Sequence, residues 1–212
     1  MYPTPLAHER NADMVIHITG VLAVLIGGAY LILSAINHLD TLFIVACFIY
    51  AVFAALSFIA SACYHLLPYH HWRNKLKFLD HAAIPAFQAA TFTPLLMFAD
   101  TTLAYLILSV MWILAGVIIF MKFQGRLYES RWSLVPNFLI GFVALIGLYD
   151  LAEYIPRNVL FIILSGFVFY GIGTIFYKRK AMPYRNAVWH SFVLFGSVAF
   201  FIAVWLTLFK SS

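Results

Sequence analysis

Seven stretches of this chain are apolar over close to the length of a membrane crossing: Met14–Ile36, Leu42–Leu67, Phe78–Phe98, Leu103–Met121, Trp132–Tyr149, Val159–Tyr177 and Val188–Phe209. A transmembrane helix needs about 20 predominantly apolar residues. The runs are continuous rather than alternating, which favours helices over a barrel. The fourth is unbroken, whereas Pro136 and Asn137 interrupt the start of the fifth. Of the 212 residues, 64% are hydrophobic and 10% charged. A soluble domain carries roughly 25% charged residues. The expected fold is therefore an all-α membrane protein, one seven-helix transmembrane domain over residues 1–212. The polar, proline-bearing start MYPTPLAHERNAD does not read as a cleavable leader.

Basic residues set the expected orientation. Arg10, Arg73, Lys75, Lys77, Lys122, Arg126, Arg131, Lys178, Arg179, Lys180 and Arg185 all fall at one side of the seven-span arrangement, leaving Arg157 and Lys210 at the other. The positive-inside rule then places the N-terminus in the cytoplasm and the C-terminus outside. The net charge of +5 reflects these short loops and does not point to a nucleic-acid partner. Cys47 and Cys63 lie in apolar stretches and read as small apolar residues, not a disulfide framework. Gly27, Gly28, Gly166, Gly171 and Gly173 are expected to allow close helix approach.

Ionisable residues inside such spans are costly and read as functional by default. His65 ends the second span, Asp80 begins the third, and His190 lies about one turn into the seventh. With this topology all three reach the same depth near the cytoplasmic surface. Ser61 and His65 are four residues apart and share a helix face, as do Asn186 and His190. Imidazole suits zinc, with a carboxylate or water completing the shell. Asp80 reads either as part of that shell or as the group orienting an imidazole or water. His17 reaches a similar depth and is read as a structural or hydrogen-bonding residue. His81 points about 100° from Asp80 on a helix and is read as lying outside the site. His70 and His71 are read as interfacial beside Trp72, and His8 and His38 as solvated.

Several segments carry a resemblance. NADMVIHITG at residues 11–20, SACYHLLP at 61–68, LDHAAI at 79–84, TFTP at 91–94, GIGTIFYKRKAMPY at 171–184 and WHSFVLFGS at 189–197 resemble the hemolysin III branch of the progestin and adipoQ receptor family. The resemblance covers nearly the whole chain. It implies a seven-helix fold with an inside N-terminus, akin to intramembrane metal-dependent lipid hydrolases. It also implies a zinc site built from one His of span two and a His-x-x-x-His pair of span seven, with a Ser and an Asp beside it. Carried over, Ser61 and Asp80 are the catalytic candidates, and His65, His190 and Asn186 occupy the metal-ligand positions. Asn186 stands where the pattern has a His, and an amide oxygen is a poorer zinc ligand than imidazole. The family suggests a bacterial-type inner-membrane protein of membrane lipid and fluidity homeostasis. The alternatives are a ceramidase-like lipid amide or ester hydrolase and, from the branch name, a cytolysin. Membrane lipid is the expected partner. Transport is disfavoured, because the spans lack charged or broken helices at the midplane.

Overall fold

The computed structural model describes residues 4, 6–68, 70–125 and 135–210. Trp132, where the fifth apolar stretch was expected to begin, the basic residues Arg126 and Arg131, and Ser212 lie outside them. The described residues form seven helices: α1 (Ala7–His38), α2 (Thr41–Leu66), α3 (Arg73–Ala99), α4 (Thr102–Phe123), α5 (Val135–Leu151), α6 (Arg157–Tyr177) and α7 (Arg185–Lys210). All but α5 are long and apolar enough to cross a membrane.

Several helices extend past the apolar stretches that seed them. α1 takes in Glu9 and Arg10, and α3 begins at Arg73, so Arg73, Lys75 and Lys77 lie on its first two turns rather than in a loop. A polar turn costs nothing where the helix leaves the hydrocarbon, and its backbone bonds remain satisfied there. Two connections are very short and capped by side chains. The Asp40 carboxylate accepts from the Phe43 amide at 3.1 Å, and the Thr101 hydroxyl accepts from the Ala104 amide at 2.9 Å. Each supplies a partner for an amide that a helix start leaves without one. Short connections force α1 against α2 and α3 against α4.

Neighbouring helices pack in chain order from α1 to α5, α6 packs on α7, and α7 returns to α1. α3 sits inside this arrangement, touching α2, α4, α5 and α7. Lipid tails are as apolar as leucine, so close packing rather than water exclusion holds such helices together. The glycines show where that packing is tightest. A Cβ on Gly166 would lie 2.7 Å from the Phe200 ring, and one on Gly173 would lie 2.8 Å from Phe192 Cβ. Gly28 faces Ala51 across the α1–α2 contact. Gly171, expected to act likewise, has open space where a Cβ would go; α6 turns that face away from its neighbour.

α3 carries Pro85 and Pro94 within its length. Proline has no amide hydrogen, so the carbonyl four residues earlier loses its helical partner. For Pro85 that carbonyl belongs to His81. Lys122, from the last turn of α4, donates its ammonium to the His81 carbonyl at 2.6 Å. Lys122 is only 3% exposed, although by sequence it reads as a loop charge.

Candidate metal centre

Near one end of the bundle, His17 of α1, His65 of α2 and His190 of α7 meet, one ligand atom from each lying within 4.8 Å of the others. Their ring centroids are 5.2 Å apart for His17 and His65, 4.3 Å for His17 and His190, and 4.7 Å for His65 and His190. The rings are tilted or edge-on to one another rather than stacked in parallel.

Helical geometry aims two of these rings. The His17 Nδ1–H donates to the Asp13 carbonyl one turn back, at 2.7 Å. The His190 Nδ1–H donates in the same way to the Asn186 carbonyl at 2.8 Å. A carbonyl only accepts, so in both rings the proton sits on Nδ1 and the Nε2 lone pair is left available. Both Nε2 atoms turn toward Ser61, whose hydroxyl is 3.2 Å from that of His190 and 3.5 Å from that of His17. An imidazole held through its second nitrogen is oriented and more basic, the arrangement that metal-binding histidines use.

Asp80 completes the polar surroundings from α3. Its Oδ2 lies 3.8 Å from His65 Nε2 and 3.6 Å from His81 Nδ1, and the residue is 9% exposed. Lys122 and Arg73 are the cations acting on this carboxylate. His81 Nδ1–H also donates to the Lys77 carbonyl at 2.8 Å. His81 thus borders Asp80, closer to the site than its position on a helical wheel suggests. The Arg73 guanidinium lies 3.8 Å from the centre of the Tyr64 ring and bonds the Tyr64 carbonyl, closing the α2–α3 side.

The structure therefore brings together Ser61, His65, Asp80 and His190, and adds His17, for which the sequence favoured a structural part. Asn186 sits one turn before His190. Its amide oxygen accepts from Arg185 Nη2 at 3.1 Å, and its carbonyl anchors His190. The third imidazole comes from the first helix instead. Spacing held one usable signal for this: Asp13 and His17, like Asn186 and His190, are a polar residue and a histidine one turn apart. The remaining histidines sit elsewhere. The His71 and Trp72 rings are 5.8 Å apart, and Trp72 is 53% exposed.

A bundle of apolar helices with three imidazoles gathered at one end defines a multi-pass membrane protein that can hold a metal ion. The chain belongs to the family described as Haemolysin-III related, which matches residues 7–201. It is 32% identical over 201 residues to a protein of Bacillus subtilis (strain 168) named Hemolysin-3 homolog, covering 92% of each chain. It is also 29% identical over 203 residues to the Hemolysin-3 of Bacillus cereus, covering 95% of this chain and 92% of the relative.

Proposed function

We propose that the chain is a single transmembrane domain that holds zinc on His17, His65 and His190 and hydrolyses an amide or ester bond of a membrane lipid, in the service of membrane homeostasis. The observation that carries this reading is the convergence of three imidazoles, two of them with Nε2 freed by an anchored Nδ1–H. The donor set fits: three nitrogen ligands with a further position open is the arrangement of catalytic zinc sites. When bound, the metal supplies Lewis-acid polarisation of a carbonyl oxygen and activation of water. Asp80, beside His65, orients water and takes its proton. The Ser61 hydroxyl, between two imidazoles, donates to the substrate oxygen.

The substrate reaches the site sideways from lipid. An apolar cleft of about 90 Å³ lies deeper among the same helices, bordered by Ala23 and Gly27 of α1, Ala51 of α2, and Leu194 and Phe201 of α7. Leu194 is one turn beyond His190, so an acyl chain in the cleft brings its headgroup linkage toward the imidazoles. We place the N-terminus in the cytoplasm, the C-terminus outside and the protein in a bacterial inner membrane, following the distribution of basic residues.

The test is metal content and lipid turnover of protein purified in mild detergent, with ceramide-like and acyl lipids as substrates. About one metal per chain is expected, with hydrolysis abolished in His65→Ala. Metal-free protein, or undiminished turnover in His65→Ala, would refute the reading.

A second reading has its own support. The Ser61 hydroxyl links α2 to both α1 and α7, as polar groups do when they join helices in lipid. In that case the protein regulates the bilayer without catalysis, and Asp80→Asn still rescues a membrane-fluidity defect of a deletion strain. The names of the two Bacillus relatives suggest lysis of membranes as a third reading. A chain this apolar does not travel as a soluble monomer, and lytic protein in the culture medium is the result that would revive that idea.

A further inference from the structure

A second, polar cavity of about 180 Å³ opens at the same end of the bundle, between the first turns of α1 and the segment that joins α6 to α7. Glu9 and Asp13 line it from α1, and Lys180 and Arg185 line it from the other side. Two carboxylates and two cations share one small space. Among the described residues, however, no pair of these four comes within the 4.0 Å of an ion pair.

The surrounding bonds hold the charges apart. The Glu9 carboxylate accepts from the Tyr184 amide at 3.0 Å. Asp13 accepts from the Thr4 hydroxyl at 2.7 Å. Arg185 donates to the Asn186 amide oxygen at 3.1 Å and to the Tyr177 carbonyl at 3.4 Å. Tyr184 has a φ of 54°, a left-handed conformation that a bulky residue adopts only when its surroundings impose it. The Glu9 carboxylate and the His8 ring, 5.5 Å from that of Tyr184, are the contacts made there. Lys180 stands exposed beside the opening.

We infer that this cavity binds a compact zwitterion carrying a phosphate and a primary ammonium, the headgroup chemistry of an aminophospholipid or of its free glycerol phosphoester. The phosphate sits against Lys180 and Arg185, and the ammonium against Glu9 and Asp13, each through charge-assisted hydrogen bonds. Two carboxylates suit a primary ammonium, which has three N–H groups to donate. A quaternary ammonium has none and favours a cage of aromatic rings, whereas Tyr184 is the single aromatic residue among the described residues of the lining. The size is suitable, since a cavity of about 150 Å³ admits benzene. Leu6 and Met14, 50% and 44% exposed, are close to Glu9 and Asp13 in the chain. This inference does not rest on lipid hydrolysis at the imidazoles, although Asp13 and Asn186, whose carbonyls anchor His17 and His190, also line the cavity.

The full chain in phosphatidylcholine nanodiscs is titrated with soluble glycerophosphoethanolamine while its melting temperature is followed, and the melt is repeated in nanodiscs that contain phosphatidylethanolamine. A saturable rise in Tm is expected with the aminophospholipid. A matching rise with the soluble compound shows that the free headgroup suffices; a rise in the nanodiscs alone assigns the ligand to the lipid. Lys180→Gln and Glu9→Gln should each weaken the response about tenfold. Lys180 is exposed, and the amide oxygen introduced at position 9 still accepts from the Tyr184 amide, so both variants fold. The inference is overturned by no rise in either format, by an equal rise with glycerophosphocholine or inorganic phosphate, or by an undiminished rise in both variants.

Discussion

The imidazole of His17, on the first helix, lies 4.3 Å from that of His190, on the last. This contact joins α1 to α7 and closes the packing of the bundle. It also splits the ligand set between the two ends of the chain, so the site exists only once α7 has docked.

His17→Ala removes an imidazole from the cluster. Metal affinity should fall more than about 100-fold, beyond the 10–100-fold lost when only a supporting bond is removed. A histidine at position 186 would stand one turn from His190 on the same face. The double variant His17→Ala, Asn186→His should therefore regain metal to within about tenfold of the parent. Inductively coupled plasma analysis after dialysis against a chelator measures both, and a double variant as empty as the single one would show that position 186 cannot serve.

Asp80→Asn keeps the shape and one acceptor oxygen but cannot take a proton. Turnover of a lipid substrate should drop about 10²–10⁴-fold while bound metal stays near one per chain. Ser61→Ala should retain metal and lose less activity. Loss of metal in Asp80→Asn would instead make the carboxylate a holder of the ion.

Lys122 and Pro85 should be coupled in stability. Lys122→Met removes the ammonium that donates to the His81 carbonyl, a cost of about 1–3 kcal/mol. Pro85→Ala restores an amide hydrogen four residues after that carbonyl, so the lysine should matter less in its presence. A double-mutant cycle of unfolding in detergent reads the coupling, and simple additivity would contradict the pairing.

Gly173→Ala tests the α6–α7 contact. The added methyl would meet Phe192 Cβ at 2.8 Å, and a Cβ cannot swing aside as a side-chain tip can. A loss of about 1–3 kcal/mol is expected, seen as a lower Tm. Gly171→Ala, two residues away with open space, should be neutral or slightly stabilising.

Apolar length carries most of this architecture, because spanning a bilayer imposes it on the sequence directly. The common depth of His65, Asp80 and His190 follows from alternating helix direction alone. The part played by His17 does not: a histidine in an apolar helix looks the same whether it packs or ligates, and only the return of α7 to α1 decides. Lys122 misleads for a related reason. It follows an apolar run as loop lysines do, yet the group that draws it inward is a carbonyl on another helix, freed by a proline 37 positions earlier. Tyr184 and the polar cavity rest on contacts between residues far apart in the chain, such as that of Glu9 with the Tyr184 amide, and no local pattern announces them.

In α3, 78% of the membrane-length window is buried inside the protein, against 22–44% in the other five long helices. That helix carries Asp80 and two prolines and is the least apolar of the six long helices. Alone among lipids it would be a less favourable occupant of the bilayer than its neighbours, so the chain segments on either side of it, α2 and α4, are the ones that shelter its polar groups from the acyl chains.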